Sequence, residues 1–290
     1  MNEIRKTTES IVSNRHEDYD YKRPLIALTC FNILIFIKKF IPNSIFNFIY
    51  KISFKAYKIL YRYSYLIAGL ASKKENKKVL LITDCMKYSL VGWEGMEATY
   101  NATKDILESD IQGDIIECGV AEGGSALLLS RLCQEKSNKR SIWLFDSFMG
   151  LPEPTNDDFI SGKTGFHIRP LPKGSCLGTI ESVSELLFIK YKLDKSKINL
   201  IKGWFQDTLP IHNDKIDNIA ILRLDGDWYE STKCCLEYLY SKVVSGGYVI
   251  LDDYVSCYGC KKATDEFLNK HSIIVDLQLD GRGGAYFVKP

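Results

Sequence analysis

The run Asp114-Ile115-Ile116-Glu117-Cys118-Gly119 is short and apolar, and it ends in glycine. A helix-like segment follows at 125–133, and the strand-like run Ser141-Ile142-Trp143-Leu144-Phe145-Asp146 comes next. A strand, a helix and a second strand in this order are typical of a βαβ unit. The first run is therefore predicted to be the opening strand of an α/β domain.

The same alternation continues to the end of the chain. Further strand-like runs occupy 198–201, 219–225 and 248–253, and helix-like stretches lie at 181–190, 230–243 and 261–270. This pattern predicts an open, mostly parallel sheet with helices on both faces. The runs 273–279 and 285–288 flank a glycine-rich turn, which predicts a hairpin and an antiparallel edge.

The composition is that of one large globular domain with an appendage. The 290 residues are 46% hydrophobic and 26% charged, which excludes collagen and disulfide-stapled miniproteins. Nine cysteines at irregular spacings favour a reducing compartment, so we expect a cytoplasmic protein. We find no internal repeat.

Charge is distributed unevenly along the chain. Residues 1–80 hold 15 Lys/Arg against 6 Asp/Glu, a charge of +9, whereas residues 81–290 hold 23 against 30, a charge of −7. The acidic part argues against nucleic acid as a partner. The polar stretch 71–80 is interpreted as a linker, so we expect a helical, basic and apolar extension over 1–75 and the α/β domain over 76–290.

The extension has the composition of a helix in a membrane interface. Its uncharged run at 25–37 is 13 residues long, and a membrane span needs roughly 20. The stretch 51–62 mixes bulky apolar and basic residues. Two interpretations stay open: residues 24–66 contact the inner face of the cytoplasmic membrane, or they pack on the main domain or a dimer partner. We also expect a homo-oligomer.

Acidic side chains stand at the carboxyl ends of the predicted strands, where ligands bind in such sheets. They are Glu117, Asp146, Asp225, Asp252 and Asp253. Close carboxylates repel one another unless a cation or a proton lies between them. Oxygen-only ligands favour Mg²⁺ or Ca²⁺, so Asp225, Asp252 and Asp253 are predicted to bind such an ion.

A glycine loop joins the first strand to its helix. Its sequence, Gly119-Val120-Ala121-Glu122-Gly123-Gly124, is not the dinucleotide-binding G-x-G-x-x-G. Missing side chains there let a ligand approach the backbone, and Asp146 at the next strand end can accept ribose hydroxyls. Because Glu122 disfavours a pyrophosphate, the cationic cofactor S-adenosylmethionine fits the loop better.

Five blocks of the chain, within residues 89–290, resemble the macrocin O-methyltransferase family. They are Glu117-Cys118-Gly119-Val120 with Gly123-Gly124-Ser125, then Phe145-Asp146-Ser147-Phe148-Met149-Gly150-Leu151-Pro152, Gly203-Trp204-Phe205-Gln206-Asp207-Thr208-Leu209-Pro210, Leu222-Arg223-Leu224-Asp225-Gly226-Asp227-Trp228-Tyr229-Glu230-Ser231-Thr232 and Gly246-Gly247-Tyr248-Val249-Ile250-Leu251-Asp252-Asp253-Tyr254. The resemblance implies a Rossmann-like class I methyltransferase fold, with seven strands and an antiparallel last strand. It also implies an enzyme that uses S-adenosylmethionine and Mg²⁺ to methylate sugar hydroxyls.

The resemblance assigns roles to individual residues. Asp225, Asp252 and Asp253 match the metal ligands, and the cofactor pocket is matched by Ser89, Leu90, Glu117, Gly119, Ser125, Asp146 and Asp207. The chain has Ala121-Glu122 where the family often has Trp-Arg, which changes the charge beside the cofactor. The expected acceptor is a sugar on a glycan, a glycolipid or a glycosylated natural product.

The proton acceptor and two rival functions stay open at this stage. Mg²⁺ lowers the pKa of a sugar hydroxyl, and Asp225 is the candidate for receiving its proton, with His167 as the alternative. Asp225-Gly226-Asp227 is also the D-x-D pattern of a metal-dependent glycosyltransferase. A non-catalytic, membrane-docked scaffold is the other rival. The pair Cys257 and Cys260 is interpreted as two ordinary thiols.

Overall fold

The structure is a computed structural model that describes residues 42–71, 76–135, 140–160 and 173–290, together with the single residues 33, 40 and 171. The chain divides into two compact units, Met1–Tyr50 and Lys51–Pro290. Residues 43–50 of the first unit form the beginning of helix α1, Asn43–Ala71. The sheet and the candidate site described below belong to the second unit.

A seven-stranded sheet forms the centre of this unit. Its strands are β1 (Asp114–Cys118), β2 (Ile142–Asp146), β3 (Ile198–Lys202), β4 (Ile219–Leu224), β5 (Val243–Leu251), β6 (Gln278–Leu279) and β7 (Ala285–Val288). They lie in the order β3-β2-β1-β4-β5-β7-β6. Strands β1 to β5 are parallel to one another, and β7 is antiparallel to both β5 and β6. The predicted α/β fold with an antiparallel last strand is confirmed.

Helices cover both faces of the sheet. After α1 they are α2 (Asn76–Cys85), α3 (Trp93–Glu108), α4 (Gly124–Glu135), α5 (Ile180–Ser184), α6 (Phe205–His212), α7 (Tyr229–Leu239) and α8 (Tyr258–Lys270). In β1, Ile115 packs into an apolar cluster with α2 to α5, and Ile116 packs into a second cluster with α6 to α8. Because both faces are buried, the strand is apolar at consecutive positions rather than at alternate ones.

Two local predictions need correction. The stretch 71–80 is not a linker throughout, because α2 begins at Asn76 and buries Val79, Leu81 and Ile82 in the core. Its lysines are the polar part of an amphipathic helix, and polar residues alone did not distinguish that from a linker. The predicted strand 273–279 forms ladder pairs only at Gln278 and Leu279.

The predicted membrane-interface segment is only partly described. Most of residues 24–42 lie outside the described residues. In the part of the chain that the structure does describe, the helices are too short or too polar to cross a bilayer.

Substituting Ile82 with alanine tests whether α2 belongs to the core. Ile82 is fully buried, so Ile82→Ala should lower the free energy of unfolding by about 2–5 kcal/mol. Leu80→Ala on the same helix is the control, because Leu80 is 53% exposed and should cost little. Chemical denaturation measures both; equal, small losses would show that α2 does not contribute to the core.

Candidate active site

Three acidic residues meet where β4 and β5 end. Leu224 pairs with Leu251 in the parallel register of these strands, so the residues that follow, Asp225 and Asp252, emerge side by side. Carboxylate oxygens of Asp225, Asp252 and Asp253 lie within 4.8 Å of one another. Asp252 and Asp253 are buried and Asp225 is half-buried. The structure thus brings together the three predicted metal ligands.

A fully buried arginine on β4 organises these carboxylates. Arg223 Nη1 donates to Asp225 Oδ2 at 2.8 Å and to Glu117 Oε1 at 3.1 Å, and Nη2 donates to Asp252 Oδ1 at 2.7 Å. Burial opposes its charge, but attraction to Asp225, Asp252 and Glu117 outweighs burial and raises the pKa of Arg223. Arg223 therefore stays charged and connects β1, β4 and β5.

Sequence reasoning missed Arg223, although a signal was present. Arg223 interrupts an otherwise apolar run that was itself predicted to be a strand of a sheet covered on both faces. A charged side chain at such a position has to be paired inside the protein. The carboxylates at the neighbouring strand ends were the available partners.

Glu117 is the acidic residue of β1. It is fully buried; Oε1 accepts from Arg223, and Oε2 has no hydrogen-bond partner among the described residues. Burial, only partly offset by Arg223, raises the pKa of Glu117 to about 7. An unpaired buried acceptor at this place suits a hydroxyl or ammonium donor of a bound ligand.

The glycine loop after β1 is held by Asp146 at the end of β2. Asp146 Oδ2 accepts from the backbone amides of Val120 at 2.7 Å and Ala121 at 3.0 Å, and Oδ1 accepts from Phe148 at 2.6 Å. Gly119 has a φ of +96°, and a Cβ there would overlap the carbonyl oxygen of Asp225. The loop conformation thus depends on Asp146 and on a glycine at the β1 exit.

The other predicted cofactor residues lie at three places. Ser125 is buried in the first turn of α4, and Ser89 is buried against Gly124, where a Cβ would meet the Ser89 side chain. Leu90 offers its carbonyl oxygen to Arg282. Asp207 is exposed in the first turn of α6, beyond the end of β3. Their cofactor contacts stay predictions, and His167 lies outside the described residues.

Arg282, in the turn before β7, also reaches the carboxylates. Its Nη1 lies 3.4 Å from Asp252 Oδ2, and its Nη2 donates to the Leu90 carbonyl at 3.0 Å. Sequence reasoning treated this turn only as a hairpin. The structure shows that Arg282 connects the candidate metal ligand Asp252 with Leu90, one of the predicted cofactor residues.

A fifth carboxylate, Asp227, belongs to the same cluster. Asp227, Asp253 and Cys257 offer ligand atoms within 4.8 Å of one another. Burial and the charges of Asp253 and Asp225 raise the pKa of Asp227 well above its ordinary value. Burial also raises the pKa values of Cys257 and Cys260, which keeps both as thiols. Sequence reasoning had considered Asp227 only for the rival D-x-D motif.

The charges of the cluster do not balance. Five carboxylates (Glu117, Asp225, Asp227, Asp252 and Asp253) face two guanidinium groups (Arg223 and Arg282), which leaves a charge of −3 when all are ionised. Asp253 Oδ2 is buried without a hydrogen-bond partner among the described residues. A divalent cation with oxygen ligands fits both observations, so the residues present suit Mg²⁺.

Helix α1 touches the elements that carry the site. The Tyr65 ring stacks on Trp93 of α3 at 5.1 Å between centroids, and the Tyr61 hydroxyl donates to Glu94. Lys58 Nζ lies 3.5 Å from Glu122 Oε2 in the glycine loop. The loop carboxylate that distinguishes this chain therefore has a lysine partner from α1.

Known proteins with similar sequences identify the family. The family model described as macrocin-O-methyltransferase (TylF) matches residues 60–289. The chain belongs to this family. The match begins within α1, upstream of the blocks recognised from sequence, and the family resemblance predicted from those blocks is confirmed.

Individual members of the family support the assignment. Demethyldecarbamoylnovobiocin O-methyltransferase of Streptomyces niveus is 36% identical over 202 residues, which are 69% of this chain and 75% of that protein. Mycinamicin III 3''-O-methyltransferase of Micromonospora griseorubida is 27% identical over 69% of this chain and 78% of its own length. The structure of the O-methyltransferase NovP has a TM-score of 0.62 at 34% identity, covering 70% of this chain and 82% of that one.

Membership decides between the rival functions considered above. Members of the family are O-methyltransferases, and this chain is an enzyme of that class. The glycosyltransferase and the non-catalytic scaffold have no comparable support. Calicheamicin methyltransferase CalS11, with a TM-score of 0.51 at 24% identity over 67% of this chain and 76% of that one, shows the same fold.

The raised pKa of Glu117 predicts how stability depends on pH. Protonated Glu117 stabilises the metal-free fold fully below its ordinary pKa of 4.5, and this contribution is lost as pH rises through about 7. Asp253, whose pKa burial raises to about 6, acts in the same direction. The free energy of unfolding in excess chelator should therefore fall over this range.

The control for this prediction is Glu117→Gln, which keeps the shape of the side chain but cannot ionise. Denaturant titrations between pH 4.5 and 7 should give a flatter pH dependence for the variant than for the wild type. Identical slopes would contradict the assignment of a protonated Glu117. Added Mg²⁺ should also flatten the wild-type slope, because the ion favours the ionised carboxylates.

Proposed function

We propose that the enzyme transfers a methyl group from S-adenosylmethionine to a sugar hydroxyl with the help of Mg²⁺. The observation that carries this proposal is the cluster Asp225, Asp252 and Asp253 beside the glycine loop of a methyltransferase fold. The similar enzymes named above have novobiocin- and mycinamicin-type compounds as their substrates by name. A glycan, a glycolipid or a glycosylated natural product is the acceptor class that follows.

The cofactor site is proposed around β1 and the glycine loop. Glu117 Oε2 is a buried acceptor without a partner among the described residues, which suits an ammonium or hydroxyl group of S-adenosylmethionine. Asp146 Oδ1 accepts one backbone amide and keeps a lone pair for a ribose hydroxyl. Gly119 lets the end of β1 lie against the Asp225 carbonyl, which brings the proposed cofactor and metal sites together. Ser89, Leu90, Ser125 and Asp207 complete the proposed pocket.

The metal site is proposed at Asp225, Asp252 and Asp253. When bound, Mg²⁺ lowers the pKa of a coordinated hydroxyl and holds it in place. Arg223 fixes the orientation of Asp225 and Asp252 through its two donated hydrogen bonds. Asp253 Oδ2 is buried without a hydrogen-bond partner among the described residues, so it is free to bind the ion.

Two carboxylates are candidates for taking the proton of the acceptor hydroxyl. Asp225 is the residue predicted from sequence, and burial and the charge of Asp252 raise its pKa. Burial also raises the pKa of Asp227. Unlike Asp225, Asp227 is not among the carboxylates that accept a hydrogen bond from Arg223. A carboxyl with a raised pKa is a stronger base once it is ionised.

The N-terminal segment, residues 24–66, is proposed to contact a membrane. We expect this segment to place the enzyme on the inner face of the cytoplasmic membrane, close to a lipid-linked or membrane-proximal sugar. The described part of this segment supports the idea, because Ile52, Ile59 and Leu60 of α1 are each exposed. An exposed apolar face beside basic residues suits a membrane interface. Assembly into a homo-oligomer stays a prediction.

Removing one metal ligand should strongly reduce turnover but leave cofactor binding intact. Asp225→Asn should reduce methyl transfer from radiolabelled S-adenosylmethionine to a panel of glycosylated acceptors by ~10²–10⁴-fold. Calorimetry should show S-adenosylmethionine still binding. Excess chelator should stop turnover of the wild type, and Mg²⁺ should restore it.

Two further variants sharpen this experiment. Asp214→Asn removes an exposed carboxylate outside the cluster and should leave turnover unchanged. Asp227→Asn, if Asp227 takes the proton, should keep Mg²⁺ affinity and lose turnover. Full activity of the wild type in chelator would refute the metal proposal, and binding of a nucleotide sugar without S-adenosylmethionine would refute the reaction.

Polar substitutions on α1 test the membrane contact. The double variant Ile52→Asp/Leu60→Asp should lose binding to vesicles containing phosphatidylglycerol in a flotation assay, since both side chains are more than half exposed. Ile274→Asp is the control, because Ile274 is 73% exposed in another part of the chain and should leave flotation unchanged. Wild-type protein that stays in solution would refute the contact.

A further inference from the structure

A basic cavity of about 880 Å³ lies between α1, α2, α3 and α4. We call it the basic pocket. Its walls carry five basic side chains and two acidic ones, Arg62, Lys77, Lys87, Lys104 and Arg131 against Asp84 and Glu135. Its volume is in the range of small-molecule sites. The carboxylate cluster and the glycine loop contribute none of its lining residues.

Two residues that line the basic pocket each carry a buried polar atom without a hydrogen-bond partner among the described residues. The atoms are Arg62 Nε and Thr83 Oγ1, and Thr83 is only 7% exposed. A helical threonine ordinarily donates to the carbonyl one turn earlier, as Thr99 and Thr103 do on α3. Buried donors ordinarily have an acceptor, and an anionic ligand between α1 and α2 would supply one.

Asp84, which follows Thr83 in the chain and also lines the pocket, has other hydrogen-bond partners. Asp84 already accepts from Lys87 at 2.7 Å, from Arg131 at 2.9 Å and from the Tyr191 hydroxyl at 2.9 Å. Lys77 is exposed at the start of α2 and adds further positive charge. Guanidinium, ammonium and hydroxyl donors together match a group with several anionic oxygens, and a phosphate has this chemistry.

An exposed apolar stripe borders the basic pocket. Leu60, Tyr63 and Ile67 of α1 are spaced by three and four residues, so they share one face of the helix. Leu60 and Ile67 are about 70% exposed and Tyr63 is half exposed. Tyr63 also lines the pocket, as does the exposed Leu80 of α2. An anion site beside an apolar stripe suits an amphiphile.

We propose that the basic pocket binds the phosphate of a membrane phospholipid, with the acyl chains lying along Leu60, Tyr63 and Ile67. A second copy of the chain fits this surface less well, because a two-fold contact would bring two basic pockets together. The proposal rests on the membrane contact proposed above and is independent of methyl transfer. It adds a headgroup site to what would otherwise be a non-specific interface.

The test uses a lipid that is soluble as a monomer, dihexanoyl phosphatidylglycerol below its micellar concentration. Calorimetry should show binding to the full-length protein, and binding should raise its Tm. Lys77→Ala should weaken binding about fivefold, because one basic side chain near an anionic lipid contributes about 1 kcal/mol. Lys215→Ala, on an exposed lysine outside the pocket, is the matched control and should bind like the wild type.

Thr83→Val separates ligand binding from folding. Valine has the shape of threonine without the hydroxyl, and Thr83 Oγ1 has no protein partner among the described residues. The ligand-free variant should therefore have a Tm equal to or above that of the wild type, and its lipid-induced Tm shift should be smaller. A structural role for the hydroxyl would instead lower the Tm and leave the lipid-induced shift intact.

Each remaining outcome decides against the proposal. Equal binding of inorganic phosphate would make the pocket a free-phosphate site, and lipid affinity unchanged in Lys77→Ala would place the lipid elsewhere. A dimer that dissociates on Ile67→Asp, together with absence of lipid binding, would assign the stripe to a second copy. Because the proposal rests on the membrane contact, failure of the wild type to float with vesicles would also overturn it, whereas absence of methyl transfer alone would not.

Discussion

The buried guanidinium of Arg223 is the interaction on which the site depends. It joins Glu117 of β1, Asp225 after β4 and Asp252 after β5, so three strand ends share one cation. Removing one partner from such a network leaves an uncompensated buried charge, which typically costs about 3–5 kcal/mol. The same contacts that stabilise the exits of the strands therefore set the positions of the carboxylates. Stability and the geometry of the site cannot be varied separately here.

The network also leaves the site short of positive charge. Arg223 and Arg282 offset only part of the charge of the clustered carboxylates, and burial raises the pKa values of Glu117 and Asp253 in the absence of any other cation. A metal ion and a sulfonium cofactor are the groups that would supply the missing charge. The ends of β1 and β4 lie close together at this site, because Gly119 has no Cβ that would overlap the Asp225 carbonyl.

Helix α1 links the surface of the protein to this site. One side of it packs on α3 through Tyr65 and Trp93 and reaches the glycine loop through Lys58 and Glu122. Its other side presents Leu60 and Ile67 to the exterior. The family match beginning at residue 60 includes the end of this helix, so the predicted boundary at residue 75 does not mark the start of the family's sequence. Helix α1 would separate a ligand on its outer face from the glycine loop.

The alternation of strands and helices along the chain, the antiparallel end and four of the five clustered carboxylates were predictable from local pattern. Apolar runs such as Ile115-Ile116 are buried whichever helices pack on them. An acidic residue at the end of such a run lies at the carboxyl end of its strand. The roles of Arg223, Arg282 and Asp227 were not predictable in this way. The two arginines contact residues 29 to 192 positions away, and the pKa of Asp227 depends on its burial. The lysine-rich start of α2 was misread for the same reason, since only packing of Ile82 in the core distinguishes that helix from a linker. Hydrophobic periodicity acts between neighbours in sequence, whereas charge pairing and desolvation act between neighbours in space, which only the folded chain defines.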